Sequence, residues 1–466
     1  MLNREALQFL NRWKEKPDRK PLVIRGARQV GKTTLVNIFS KKFRQYIYLN
    51  LELTEERKIF EGKQNFEEVV DALFFLKNGK KNEPDTLIFI DEIQNSPEAV
   101  KYLRYFYETK SQQSGIPFAI KELAVVTAGS LLETLIDKDI TYPVGRVEFF
   151  ALRPFSFQEY LNAVGEKNSL DAIDNIPFPE YAHNKLISLF KRYALIGGMP
   201  EVIKKYSENN DLNEVKEVIK NLVLSYKADI EKYARNETVN RIVRHIIDNA
   251  FHFAGERIKF NRFANSNYRS REVSECFRIL EKTMLLQLVY PATSTGLPLI
   301  ADKKKSPKLQ LLDTGLVNFM SGIEKDVYNT DELTDVYRGK IAEHIIGQEL
   351  LAREILPENN LLFWLREKKQ SDAELDYLIT YKGNVIPVEV KSGSAGKLRS
   401  LHQFINLSTV KNKLTVAVRF YAGKLSVKKE TTPEGNKFIL LNLPFYLCNK
   451  IGDYIDWAAG RVNSNE

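Results

Sequence analysis

Val23 to Val36 read VIRGARQVGKTTLV: an apolar run, two glycines, a lysine and two threonines, then a second apolar run. Gly26 and Gly31-Lys32-Thr33 complete the pattern G-x-x-x-x-G-K-[ST], between a strand-like PLVI and a helical TTLVNIFSKKF. A glycine turn in that setting points backbone N–H groups at phosphate oxygens, and the helix that follows adds its positive dipole end. The stretch therefore predicts a binding site for ATP built from Gly26, Ala27, Arg28, Gln29, Val30, Gly31, Lys32, Thr33 and Thr34. Lys32 is expected to reach the β- and γ-phosphates, and the Thr33 hydroxyl to ligate Mg²⁺. An ordinary glycine turn is the plain alternative, and the complete pattern with both flanks disfavours it.

The rest of the chain gives this site a setting. At 466 residues it is too long for one typical core, and the length suggests about three domains. Hydrophobic residues make up 43% and charged residues 28%, and no apolar run approaches the roughly 20 residues that cross a bilayer. The start, MLNREALQFLNRWKEK, is charged and amphipathic rather than signal-like, so a soluble cytoplasmic protein without membrane contact is expected. Cys276 and Cys448 are the only cysteines and the five histidines are scattered, which excludes a disulfide framework and a cysteine zinc site.

Further along, TLIFIDEIQ places four apolar residues, Leu87 to Ile90, ahead of Asp91 and Glu92. A strand buried on both faces, with two carboxylates at its C-terminal end, suits a parallel sheet that presents its ligands there. Asp91 is expected to hold Mg²⁺ through water, and Glu92 to orient and polarise the attacking water. A second apolar strand, ELAVVTAGS, ends in Thr127 and Ser130, either of which can act as a γ-phosphate sensor or as a plain helix cap. Arg146 stands where an arginine can reach transition-state charge on its own or a neighbouring subunit, or simply pair at the surface.

GARQVGKTT, LIFIDEIQ, TAGSLLE, VGRVEFFALRPFSFQEYL and IGGMPEVI together resemble the bacterial and archaeal AAA-type ATPases that carry an uncharacterised C-terminal domain. In related ATPases of the signal-transducing type a Gly-x-Pro element of the helical lid lies by the adenine, and by resemblance this points to Gly198 and Pro200. As local chemistry GGMP is a helix break.

Lys and Arg exceed Asp and Glu by 69 to 60, and the excess is local: Arg235 to Gln310 hold 14 basic and 7 acidic residues, a net of +7 out of +9. Such a stretch suggests an anionic partner, nucleic acid and duplex DNA in particular. Its pattern of helix, short helix, turn, longer helix and two strands around ATSTGLPLIADKKKSP reads as a winged helix-turn-helix. Arg269, Arg271 and Arg278 would then face the groove, with Lys303, Lys304 and Lys305 on the phosphates. Winged helices also serve as protein contacts, and lysine runs as solvated loops.

At the far end, a two-residue turn at Lys382-Gly383 places Asp376 across from Glu389, and Glu389 shares a strand face with Lys391. Two carboxylates and a lysine then converge into an expected Mg²⁺ or Mn²⁺ site, with Lys391 to activate water. The arrangement resembles the restriction-endonuclease-like fold, which implies Glu343 as the acid of the preceding helix. Alternating polar residues on an exposed sheet face are the simpler explanation.

The expected molecule is an α/β multidomain protein: a parallel-sheet P-loop ATPase core (1–160), a helical lid (161–234), a winged helix-turn-helix (235–325) and a C-terminal α/β restriction-endonuclease-like domain (326–466). It hydrolyses ATP and engages DNA, with or without metal-dependent cleavage; the rival expectation is a nucleotide switch whose rear half binds a partner protein.

Overall fold

Leu87, Ile88, Phe89 and Ile90 are apolar on both faces of their strand, so the segment needs cover on both sides. In the computed structural model, which describes residues 4–62, 65–111, 123–129, 142–143, 145–233, 236–322, 339–356, 361–367, 372–392, 398–408 and 415–463, it has that cover. The first part of the chain runs α1 (Ala6–Lys14), β1 (Leu22–Arg25), α2 (Lys32–Ser40), β2 (Gln45–Asn50), α3 (Thr54–Arg57), α4 (Phe66–Leu76), β3 (Thr86–Asp91), α5 (Pro97–Ser111), β4 (Ala124–Gly129) and β5 (Glu148–Ala151). Its strands form one parallel sheet in the order β2-β3-β4-β1-β5. Leu87 and Phe89 pack towards α1 and α2 in one core cluster, while Ile88 and Ile90 pack towards α4 and α5 in another. All six residues of β3 are buried, as the sequence run requires.

The helical part that follows contains α6 (Phe157–Ala163), α7 (Lys167–Asp174), α8 (His183–Ile196), α9 (Pro200–Asn209) and α10 (Leu212–Tyr233). A capping box starts α6: the Ser156 hydroxyl accepts from the Glu159 N–H, and the Glu159 carboxylate accepts from the Ser156 N–H.

The middle contains α11 (Glu237–Ala250), a short turn at Phe263–Asn265, α12 (Ser270–Lys282), β6 (Leu286–Ala292), β7 (Lys308–Leu311) and α13 (Thr314–Met320). The last part contains α14 (Lys340–Ala352), β8 (Leu362–Arg366), β9 (Ala373–Tyr381), β10 (Asn384–Val390), α15 (Arg399–Leu407), β11 (Thr415–Tyr421), β12 (Ser426–Thr431), β13 (Lys437–Pro444) and α16 (Ile451–Asn463).

These two parts share a sheet, β12-β13-β11-β10-β9-β8-β6-β7, joined where Tyr290 of β6 pairs in parallel with Leu362 of β8. The boundary expected at 325/326 is therefore bridged by strand pairing. The turn between β9 and β10 is the expected two-residue one, with Lys382 and Gly383 both at positive φ, as a type I′ hairpin requires. Its register pairs Val388 with Tyr377, and its continuation sets Glu389 level with Asp376.

The rear half is also hydrogen-bonded to the front half. Ala151 on edge strand β5 donates to the Ile355 carbonyl at 2.7 Å, and Phe157 donates to the buried Glu349 carboxylate of α14 at 3.1 Å. Among the described residues no helix is long and apolar enough to cross a membrane.

Candidate nucleotide site and the C-terminal carboxylate cluster

The phosphate loop joins β1 to α2 at the C-terminal edge of the parallel sheet, beside the point where the strand order reverses. Gly26 is required by close approach, since a Cβ there would lie 2.5 Å from the Leu152 carbonyl oxygen. Gly31 caps α2 at a φ of +92°, a conformation that costs a side-chain-bearing residue strain. Lys32 is 7% exposed, and its Nζ donates to the carbonyls of Gly26 at 3.0 Å and Ala27 at 2.9 Å. Burial lowers its pKa to about 8, against the opposing pull of Glu92 and Asp91. A desolvated ammonium without full compensation is a ready partner for an anion.

Beside it, the Thr33 hydroxyl donates to Asp91 Oδ2 at 2.6 Å. Tyr48 on β2 donates to the same oxygen at 3.4 Å. Burial raises the carboxyl pKa of Asp91, against the hydrogen bond from Thr33. Glu92 follows at a φ of +51°, a strained position for a non-glycine residue of the kind that gathers at functional sites. Its carboxylate accepts from the Gln94 amide, and burial raises its pKa too. The residues present fit a Mg²⁺-triphosphate: oxygen donors for a hard cation beside a buried, under-compensated lysine.

The GGMP stretch packs on this loop. A Cβ on Gly31 would lie 3.6 Å from Pro200 Cγ, so Pro200 packs on the loop itself. Gly198 donates to Asp313 Oδ2 at 2.6 Å, and Phe155 donates to the Gly198 carbonyl at 2.7 Å. Gly197 and Gly198 thus lie between the end of the parallel sheet and the start of α13, where a Cβ would meet Asp313 at 2.1 Å or Phe155 at 2.3 Å. Arg28 of the loop pairs with Asp229 of α10, whose Tyr226 hydroxyl donates to the Arg28 carbonyl at 2.9 Å. The sequence reading missed Tyr48, Asp229 and Asp313, because each arrives from another element, and Gln94, which ends the TLIFIDEIQ stretch but was given no role.

Two expectations change. Arg146 precedes β5, whose Glu148 is level with Leu22, so it sits at the N-terminal ends of the strands, about 20 Å along the strand direction from the loop. It pairs with Glu108 at 3.1 Å, which is the surface pairing and not a reach to phosphate within the chain. Thr127 is level with Ile90, on the α4/α5 face, whereas Asp91 and Thr33 lie on the α2 side. Its hydroxyl is buried without a hydrogen-bond partner among the described residues. Ser130 lies outside the described residues.

The C-terminal cluster differs from its expectation. Asp376, Glu389, Lys391 and Glu343 do come together, as the turn arithmetic requires, but with a further residue among them. Lys308 of β7, 4% exposed, sets its Nζ 2.6 Å from Glu343, 2.7 Å from Glu374 and 3.6 Å from Asp376. Lys391 pairs with Glu389, and the Val390 N–H donates to Asp376 Oδ2 at 2.6 Å. Burial alone would lower the Lys308 pKa; Glu343, Asp376 and Glu374 more than reverse that and hold it above the ordinary value. Burial, reinforced by Asp376, raises Glu343 and Glu389. The two directions have different causes: the surrounding acids outweigh burial at Lys308, whereas burial itself is the larger cause at Glu343 and Glu389, with Asp376 adding to it. Among the described residues no group of three or more acidic, histidine or cysteine ligands is arranged to hold a metal. The expected Mg²⁺ or Mn²⁺ site is thus without support among the described residues, and Lys308 stands among its acids.

The basic middle is partly spent inside the molecule. Lys305 and Arg257 both pair with Glu367, at 2.5 Å and 2.9 Å. Arg269, Arg271 and Arg278 are exposed, but Arg271 pairs with Glu275, and α12 sets Arg271, Arg278 and Lys282 against Glu272, Glu275 and Glu281. Lys303 and Lys304 remain exposed beside them.

Residues 18–161 match the AAA domain family, residues 187–327 a domain of unknown function (DUF8612), and residues 338–446 a second domain of unknown function (DUF4143). No curated protein matches the chain. Among solved structures it is similar to a Walker-type ATPase of Pyrococcus abyssi, at 15% identity and a TM-score of 0.41, over 69% of this chain and 96% of that one. It is also similar to the ORC1 protein of Aeropyrum pernix, solved in complex with DNA, at 12% identity and a TM-score of 0.29, over 71% and 95% of the two chains. The chain is an α/β protein with a parallel-sheet P-loop core, its residues 18–161 matching an AAA domain, followed by two regions that match domains of unknown function.

Proposed function

We propose that this protein binds ATP with Mg²⁺, hydrolyses it, and uses its rear half as a nucleotide-coupled docking platform. The observation that carries the reading is Lys32, buried among loop carbonyls and short of negative charge, beside Thr33, Asp91 and Glu92. Mg²⁺, held by Thr33 and through water by Asp91, supplies charge neutralisation on the phosphate oxygens when bound. Lys32 exchanges its carbonyl partners for phosphate oxygens, and the loop N–H groups fix their position. Glu92, braced by Gln94, orients the attacking water. Pro200 and Gly198 carry the loop's state to Asp313, and so to the rear half.

In Lys32→Ala, ATP binding and hydrolysis are both lost; in Glu92→Gln, binding survives and turnover falls by roughly a hundredfold or more. Equilibrium nucleotide binding and phosphate release measure the two. Hydrolysis at the parent rate in Lys32→Ala defeats the reading.

A second reading concerns the partner. We read the middle as a winged helix, and the last part as a restriction-endonuclease-like fold kept as a platform; exposed Arg269, Arg278, Lys303 and Lys304 favour duplex DNA as what it meets. Replacing Lys303, Lys304 and Lys305 with alanine weakens duplex binding and flattens its salt dependence. An anisotropy titration that shows unchanged affinity at every salt concentration favours a protein partner instead.

A further inference from the structure

The carboxylate cluster is assembled from elements far apart in sequence: Glu343 on α14, Glu374 and Asp376 on β9, and Glu389 on β10. It is closed by Lys308, which comes from β7, a strand of the preceding region. Lys308 passes over the Phe363 ring of β8, with its Nζ 4.9 Å from the ring centroid. Gly347 of α14 lets the helix settle on β7 and β9, since a Cβ there would lie 2.3 Å from Gln310 Oε1 and 2.4 Å from the Tyr377 hydroxyl. One oxygen of Glu389, Oε2, is buried with no hydrogen-bond partner among the described residues. The arrangement is thus a ring of oxygen donors around a cation, and the cation is a side chain.

We infer that Lys308 is the resident cation of this cluster: it occupies the place the sequence assigns to a divalent metal and locks β7 to β9 and α14. The ammonium satisfies Glu343 and Glu374 by direct hydrogen bonds and Asp376 by charge. A hard divalent ion needs those same oxygens at roughly 2.0–2.6 Å, and a buried ammonium among them excludes it by volume and by charge. Removing Lys308 leaves four acids against Lys391 and the more distant Arg257, 3.8 Å from Glu374, and such a set binds oxygen-seeking cations. The cluster therefore takes a metal only when β7 withdraws its lysine. This inference is independent of ATP hydrolysis, and its test is run with the phosphate loop disabled.

The full chain carrying Lys32→Ala is titrated calorimetrically with Mn²⁺, alone and with Lys308→Met added. Without Lys308→Met no binding is expected; with it, one Mn²⁺ site appears, tighter by at least about tenfold than anything in the first protein. Because Lys308→Met also loosens the fold, thermal unfolding is followed in parallel: Mn²⁺ raises the Tm of the Lys308→Met protein and leaves the other unmoved. Adding Asp376→Asn to the Lys308→Met protein abolishes both responses, and Lys308→Arg, which keeps the cation, shows neither. Mn²⁺ bound by the Lys32→Ala protein and lost on Asp376→Asn overturns the inference. So does a Lys308→Met protein that folds and ignores Mn²⁺ in both measurements.

Discussion

Two buried lysines organise this molecule, and they are opposites. Lys32 lies among carbonyls, and burial wins over the nearby Asp91 and Glu92, so its pKa falls to about 8. Lys308 lies among carboxylates, and the charges win over burial, so its pKa rises. At the first, the nearby anions do not offset burial, which suits a ligand that brings more of them. The second has its anions within the chain and is built for closure. A lysine in a glycine loop and a lysine in an acidic cluster are the same side chain; the balance between desolvation and local charge separates a binding site from a structural lock.

Exchanging each lysine for an apolar residue tests that contrast through stability. Lys308→Met removes the buried cation shared by the half-buried acids Glu343, Glu374 and Asp376 and is expected to cost about 3 kcal/mol. Lys32→Ala removes a desolvated cation and two hydrogen bonds, and should change stability by no more than about 1 kcal/mol. Denaturant unfolding without nucleotide measures both, and equal losses would erase the distinction.

Residue by residue, the legibility of these two sites differs for a physical reason. Lys32, Thr33, Asp91 and Glu92 follow strands at the C-terminal edge of a parallel sheet, and their local patterns carry that position without knowledge of the rest. Asp376 and Glu389 were legible because a two-residue turn sets their register. Lys308 was not, because its acidic partners come from two elements, α14 and β9, lying far downstream. A weak signal did exist: KLQL alternates Lys308 and Gln310 with leucines in a strand whose four residues are all buried, and polar residues in such a strand need partners. The net charge of Arg235 to Gln310 read as an appetite for nucleic acid, whereas Lys305, Arg257 and Lys308 direct part of it at Glu367, Glu343 and Glu374. The roles of Gly197 and Gly198 reduce to close approach, to the Asp313 side chain and to the Phe155 backbone, which a sequence shows only as a helix break.

A smaller effect sharpens the comparison at the joint between the two regions. His344 is fully buried, and its Nε2 accepts from the Leu311 N–H at 3.0 Å, so burial holds its pKa at about 3, below the ordinary 6.5. The unfolded chain takes the proton first, so the stability due to neutral His344 is intact above pH 6.5 and is lost as pH falls towards 3. His344→Gln keeps an acceptor and removes the titration. Between pH 6 and 4.5 its stability should fall less steeply than that of the parent, by about 1.4 kcal/mol per pH unit. Parallel pH curves would mean that His344 is already charged in the folded protein.

Counting bound Mn²⁺ by electron paramagnetic resonance, with and without a saturating non-hydrolysable ATP analogue, tests the opposition of the two lysines most directly. One Mn²⁺ per chain that appears only with nucleotide and disappears in Lys32→Ala is the outcome expected of an anion-seeking Lys32 and a self-satisfied Lys308. A Mn²⁺ bound without nucleotide, unaffected by Lys32→Ala and lost in Asp376→Asn, would contradict it.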